Sequence, residues 1–498
     1  MIEAIKLKIN ALKNGYLPAG SLRARFVKGA FWSFVGAVIS RGLNLISSII
    51  VARLLGTVGY GELGIIQSTV GMFGVFAGLG LGMTATKYVA EFREKDPQKA
   101  GRIIALSSLM AFISGGIVSI ILVILSPWLA SSTLSAPHLS GLLQLSAGLL
   151  FFGAINGAQT GALAGFEAFK TIAIVNFLSG IISFPLMVAG VWFFQLKGAV
   201  LALVASMIVN YFLNKIAIRI ECQKFNIKPN FSSCFAEIPV LWKFSIPAFL
   251  SSAMVGPVTW LCNTMLVNQP NGYAEMGIFN AANQVRNAII FLPSSSFYAL
   301  FPIMSSELNK KNPSNEQRLH VINAYSTWYV ATGLTAVVIF FTRQILNLFG
   351  KEFIAGEVTL IIVLFSIPIL TYKDGIARLV QVKELMWYSL FSNMLWGVFL
   401  IVLTLKLVKY GSVGLSIGYL ISYFLNTLIV VPFYFRKIKM LRLIKNDLLI
   451  GVGLTLALLP ALLSKVFNFN IFIFVFFLSI SLYLFIRMGV IIYSWLKT

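Results

Sequence analysis

Residues 25–64, RFVKGAFWSFVGAVISRGLNLISSIIVARLLGTVGYGELG, decide the fold of this chain. From about Lys28 to Ala52 the sequence is apolar for a length that crosses a hydrocarbon core of ~30 Å at ~1.5 Å per helical residue. Lys28 bounds it on one side and Arg53 on the other, and near its middle stands an uncompensated Arg41. A charge at that depth costs several kcal/mol unless it faces protein or a water-filled cavity. The run ends in the Gly-rich turn GYGELG, which leads directly into a second apolar helix. The stretch therefore reads as a membrane hairpin that holds a cation at mid-depth.

The rest of the chain repeats this pattern. Of its 498 residues 58% are hydrophobic and 11% charged, and the mean hydropathy is +0.87. Soluble domains carry roughly 25% charged residues, so composition places the chain among integral membrane proteins. Apolar runs of membrane length recur almost to the last residue, which predicts helices rather than a β-barrel. Fourteen spans are expected, near 28–52, 60–84, 101–126, 140–164, 168–193, 198–218, 240–266, 273–303, 320–342, 356–380, 385–408, 412–435, 446–465 and 469–494. They are called spans 1 to 14 below. The first 25 residues are polar and basic, with Ile2, Ile5, Ile9 and Leu12 marking one face of a short interfacial helix. No cleavable signal is expected, because the first apolar run exceeds the ~7–15 residues of a signal core.

The formal net charge of +23 raises the question of nucleic acid, and its distribution answers it. With the N-terminus inside, about 30 Lys and Arg fall at cytoplasmic ends and loops and about 7 at outer ones, leaving Arg41 and Arg286 in spans. That asymmetry is the positive-inside rule. It predicts cytoplasmic termini, with attraction to anionic lipids as a secondary effect and no nucleic-acid partner. The three cysteines, Cys222, Cys234 and Cys262, lack metal-ligand spacing, and His138 and His320 lie far apart in loops. No metal or cofactor is expected. Loops are short throughout, and no phosphate-cradling or nucleophile-plus-base motif is present. A membrane polymerase or ligase, which needs a sizeable outer loop, is therefore the least favoured class.

The GYGELG turn has a partner. Gly59-Tyr-Gly-Glu-Leu-Gly-Ile65 matches Gly272-Tyr-Ala-Glu-Met-Gly-Ile278 at five of seven positions, 213 residues on. Glu91-Phe-Arg-Glu-Lys-Asp-Pro97 resembles Glu307-Leu-Asn-Lys-Lys-Asn-Pro313, and Gly198 with Asn210 matches Gly414 with Asn426, each 216 residues apart. Three matches near one offset imply two homologous six-helix lobes. Because six is even, the lobes share one topology about an axis along the membrane normal. The expected layout is a basic segment 1–25, an N-lobe 26–221, a linker 222–239, a C-lobe 240–437, and a helix pair in 438–498. Such halves predict a path between lobes and alternating access by rocking.

Arg41 lies roughly 20 Å into span 1, with Asn44 and Ser48 at i+3 and i+7. Arg286 lies at similar depth in span 8, flanked by Asn283 and Asn287 and extended by Asn280. The two arginines read as the cationic lining of a central cavity, one per lobe. In span 10, Asp374 and Arg378 are one turn apart and able to pair. Asp374 is the acid read as lying within a span, so this pair is the candidate for ion coupling, with a structural ion pair as the alternative. Gly71, Gly74, Gly78 and Gly82 in span 2 read as a packing face. Glu62 and Glu275 read as acids favoured by their own helix dipoles.

The stretch KGAFWSFVGAVISRGLNLISSIIVARLLGTVGYGELG, followed by GLGLGMTATKYVAEFR, resembles the N-terminus of Wzx-type O-antigen and polysaccharide-export flippases. That group is a branch of the superfamily that also holds multidrug (MATE) exporters and lipid II flippases. The resemblance implies an undecaprenyl-pyrophosphate-linked oligosaccharide as substrate, moved from the inner to the outer leaflet of a bacterial inner membrane by a monomer. It also implies, as partners, a polymerase and a chain-length regulator of the same pathway. Members line the cavity with basic residues on the first and eighth helices, which Arg41 and Arg286 match. Arginine suits the task, since a pyrophosphate needs paired, bidentate donors to enter a low-dielectric site. An inside-negative potential favours outward movement of an anion by about 2.3 kcal/mol per charge per 100 mV. Lipid II transport and drug/cation antiport are the alternatives. The latter is disfavoured because spans 1 and 7 carry no acid of the kind drug exporters commonly use.

Overall fold

The computed structural model describes residues 22–240, 253–297, 321–382, 385–437, 443–466 and 471–497, together with Ser245 and Phe249. The interfacial helix expected before residue 22, the Glu307–Pro313 copy of the basic segment, and His320 lie outside the described residues.

Among the described residues there is no strand, as expected where hydrocarbon forces each backbone polar group to be satisfied within its own segment. Seven helical stretches, or eight counting one bent pair, are long and apolar enough to cross a membrane. Three of them, 41, 56 and 51 residues long, each hold two crossings and a break. Spans 1 and 2 share Leu22–Gly78, broken at Gly56 (φ 68°). Spans 5 and 6 share Phe169–Lys224, broken at Gln195 (φ 48°). Spans 11 (Met386–Leu407) and 12 (Gly411–Lys437) meet at Gly411 (φ 65°). Span 3 is Pro97–Trp128 and span 4 is Ser140–Gly165. Span 7 is described from Val255 to Val267, and span 8 is Gly272–Phe297. Span 10 is Glu357–Val382, and spans 13 and 14 are Leu443–Val466 and Ile471–Lys497. The fold is thus the all-α membrane arrangement read from the sequence, and among the described residues a helix falls in each of the fourteen expected spans. Span 9 (Ser326–Phe340) is followed by a short helix, Thr342–Phe349, bent by 77° from it.

The repeat has a structural meaning. A Cβ at Gly198 would lie 1.7 Å from the Gly190 carbonyl, and one at Gly414 would lie 1.8 Å from that of Leu407. Each matched glycine therefore lets the last hairpin of its lobe close. The two heptapeptides cross each other. A Cβ at Gly61 would meet the Tyr273 carbonyl at 1.8 Å, and one at Gly277 would meet that of Thr57 at 2.0 Å. Near this crossing Arg53 donates to the carbonyls of Leu348 (2.6 Å) and Asn347 (3.0 Å), at the C-terminal end of the bent helix, where a cation is favoured. The lobes are closed against one another at the end that the charge pattern assigns to the outside.

A second seam runs between spans 2 and 7. Trp260 donates to Thr69 (3.0 Å) and Asn263 to Ser68 (2.9 Å), and the hydroxyls of Thr84 and Ser245 are 2.5 Å apart.

One local expectation is revised and another extended. Of the four span 2 glycines, Gly82 alone makes a close backbone contact: a Cβ there would lie 2.8 Å from the Gly157 carbonyl. Nothing approaches a Cβ at Gly71 or Gly78 within 4 Å, and the helix breaks just beyond, at Leu79 and Gly80. Glu275 stands in the first turn of span 8, as expected, and also serves a neighbouring helix, accepting from the Ser412 amide (2.8 Å) at the start of span 12. Its counterpart Glu62 pairs with His138 Nε2 at 2.7 Å.

Candidate functional site

A cavity of about 680 Å³ lies at the interface of the lobes, bounded by spans 1, 2, 5, 6 and 8. Span 1 supplies Ser40, Arg41, Asn44, Ser47 and Ser48, one polar face of the helix that opens the sequence. Ser48 and the Tyr60 hydroxyl share a hydrogen bond of 2.5 Å, which ties this face to the GYGELG segment; that segment, expected to be a turn, is helical, and the break lies upstream at Gly56. Span 8, from the other lobe, contributes Gln284, Asn287, Ala288 and Phe291. These positions fall at i, i+3, i+4 and i+7, the stripe one helical face presents. Arg41 stands with its guanidinium carbon 4.6 Å from the centre of the Phe291 ring, a cation–π contact between lobes. The uncompensated charge of the first span thus faces a cavity and an aromatic ring.

Not all of the expected lining is brought together. Arg41, Asn44 and Asn287 line this cavity, whereas Arg286 and Asn283 do not. Arg286 lies within electrostatic reach of Tyr419 and Tyr423 on span 12, and its Nε is buried without a hydrogen-bond partner. Asn283 donates back to the Phe279 carbonyl of its own helix at 3.0 Å. Depth grouped the two arginines, but 100° per residue separates the faces of Arg286 and Asn287.

The C-lobe residues form a separate polar region. Lys373 donates to Asn426 Oδ1, and Ser392 also donates to that atom at 3.2 Å. Asn426 is the repeat mate of Asn210, which lines the cavity and accepts from Asn214 (2.8 Å), so related positions engage a lysine in one lobe and an asparagine of their own helix in the other. Asp374 is half-buried, within electrostatic reach of Lys373 and Tyr423. Arg378 is buried and donates to Asn323 through Nε (2.6 Å) and Nη2 (3.1 Å). Neither Asp374 nor Arg378 lines the cavity.

Sequence reasoning missed two features. Asn176, Ser179 and Ser183 of span 5 line the cavity at i, i+3 and i+7, a pattern present in the sequence. Asp447, near the start of span 13, is buried and accepts hydrogen bonds from Tyr325 and from Tyr372 (2.5 Å). The three cysteines are buried free thiols.

The family described as "Polysaccharide biosynthesis protein" matches residues 26–308. The chain is 24% identical over 297 residues to the lipid III flippase of Escherichia coli (strain K12), covering 58% of this chain and 69% of that protein. It is 22% identical over 306 residues to the EPS I polysaccharide export inner membrane protein EpsE of Ralstonia solanacearum, covering 61% of this chain and 68% of that one. Among solved structures it superposes on the lipid II flippase MurJ, inward closed conformation, with a TM-score of 0.69 at 16% identity, covering 93% of this chain and 99% of that one. An inward-facing MATE family multidrug transporter of the MOP superfamily gives 0.59 at 16% identity, covering 82% and 99%.

Proposed function

Because this chain belongs to the polysaccharide biosynthesis protein family, we propose that it is a flippase for an undecaprenyl-pyrophosphate-linked oligosaccharide, a repeat unit of O-antigen or another surface polysaccharide. The carrying observation is the cavity between the lobes, which offers one arginine and a wall of hydroxyls and amides at the depth where hydrocarbon would otherwise exclude a glycan. The relatives named for saccharide-lipid flipping and polysaccharide export support the substrate class. The relatives, named as a flippase and a polysaccharide export protein, support transport as the work.

In this reading the lipid tail stays in the bilayer while the headgroup enters the cavity from the cytoplasmic side. Arg41 receives a phosphate oxygen, exchanging its contact with Phe291 for a charge-assisted hydrogen bond. Rocking of the C-lobe on the N-lobe then opens the crossing at Gly61 and Gly277 and closes the inner side. Both termini face the cytoplasm, and the chain acts as a monomer ahead of a polymerase and chain-length regulator.

Deletion of the gene in its native host tests the proposal. Surface polysaccharide should be lost while lipid-linked repeat units accumulate on the inner leaflet. The wild-type chain should restore the polymer, and Arg41→Ala, inserted at normal level, should restore at most a tenth to a hundredth of it, since a hydrogen bond to a charged group contributes about 1.5–3 kcal/mol. Normal polymer in the deletion strain would refute the assignment.

A further inference from the structure

The lining of the cavity is almost wholly uncharged. Among its residues the hydrogen-bonding groups are hydroxyls and carboxamides from spans 1, 2, 5, 6 and 8, with Arg41 the single cation and no carboxylate. Asn44, Asn176, Ser179, Ser183 and Asn287 make no hydrogen bond to another described residue. The volume, about 680 Å³, falls within the roughly 300–1,000 Å³ of small-ligand sites. Polar side chains inside a membrane protein are ordinarily satisfied by neighbouring helices, so a face of open donors and acceptors is a face kept for a ligand or its water.

We infer that this cavity is a saccharide site, specific for an uncharged, amide- and hydroxyl-bearing sugar, with Arg41 reserved for the diphosphate. The inference rests on the flippase reading and narrows its substrate class. Carboxamides and hydroxyls both donate and accept, which matches the ring hydroxyls and N-acetyl groups of a neutral sugar. The rings of Phe184 and Phe291 add apolar faces. The diphosphate already carries two negative charges against the one of Arg41, and an acidic sugar would add a third that no other cation among the described lining residues meets. A buried anion without a partner carries a large desolvation penalty, so the site rejects uronic acids as well as selecting neutral sugars. The face of span 5 bearing Asn176, Ser179 and Ser183 is the specificity surface, since its polar groups are unengaged and carry no charge.

The test is a binding measurement on the purified full-length protein in nanodiscs with three fluorescent probes: undecaprenyl diphosphate, undecaprenyl diphospho-N-acetylglucosamine and undecaprenyl diphospho-glucuronic acid. The neutral sugar probe should bind at least tenfold more tightly than the bare diphosphate and at least tenfold more tightly than the uronate. The double variant Asn176→Ala, Ser179→Ala should lose the gain from the neutral sugar while binding bare diphosphate as the wild type does, which also reports that it is folded. Should that variant fail to fold, the single variant Ser183→Ala takes its place, with a partial loss of the same gain expected. Equal binding of all three probes, or tighter binding of the uronate, would overturn the inference. So would a folded variant that keeps the full preference. If none of the probes binds, the flippase reading itself falls.

Discussion

Arg41 and Asp447 show how a membrane interior accommodates charge in two ways. Arg41 has the cavity and the Phe291 ring, an arrangement that leaves its forked donors available. Asp447 is buried beneath the Tyr325 and Tyr372 hydroxyls, which join span 13 to spans 9 and 10. Removing that carboxylate breaks two buried hydrogen bonds to a charged group, each contributing about 1.5–3 kcal/mol. Asp447→Ala is therefore expected to lower the thermal midpoint of the detergent-purified protein clearly, and Asp447→Asn, which keeps an acceptor oxygen, to recover part of the loss. An unchanged midpoint for the alanine variant would show that the cluster does not hold the helix pair to the C-lobe. Arg41 was legible in the sequence because nothing near it in the apolar run compensates its charge. Asp447 was not, since an acid at the edge of a span, two residues from Lys445, looks like a solvated loop residue. The span 5 stripe was written in the spacing of Asn176, Ser179 and Ser183, but serine and asparagine occur so often in helix packing that spacing alone did not single it out.

Helices 2 and 8 are the elements on which the mechanism turns. Gly61 of one heptapeptide and Gly277 of the other let the two backbones touch, and a side chain at Gly277 would sit 2.0 Å from the Thr57 carbonyl. No rotamer relieves a clash with backbone, so Gly277→Leu must hold the lobes apart at that end. We expect this variant to shift the protein toward the state open on that side. A cysteine placed at Asn287, within the cavity, should then react with an externally added, membrane-impermeant maleimide several-fold faster than in the Gly277 parent. Equal rates in the two would mean that this crossing is not the outer gate. The GYGELG and GYAEMGI segments were visible in the sequence as a repeat, whereas their mutual contact was not, because a repeat fixes topology and leaves the distance between its copies open. The face of helix 8 was open to a helical-wheel reading. Depth placed Arg286 beside Asn287, while angular position puts Gln284, Asn287, Ala288 and Phe291 on the cavity and turns Arg286 toward Tyr419 and Tyr423.

At the scale of the molecule, two lobes of one topology have diverged in chemistry. The N-lobe keeps its share of the interface open and lined with amides and hydroxyls, while Lys373 engages the repeat mate of Asn210 in the C-lobe. Fourteen spans, the repeat and the membrane class were legible because hydrocarbon imposes long apolar runs and short loops on any sequence that crosses it. The division of labour between lobes was not, since it depends on which side chains face the gap. The central claim is that a saccharide-bearing lipid crosses the membrane through this cavity. The direct measurement is transbilayer movement of undecaprenyl diphospho-N-acetylglucosamine in vesicles holding the purified protein, read as the lipid becomes accessible to an enzyme added outside. We predict movement well above that of protein-free vesicles, and its loss when a cysteine at position 287 is capped with a bulky maleimide. Movement no faster than in protein-free vesicles, or an unchanged rate after the cavity is blocked, would contradict the account.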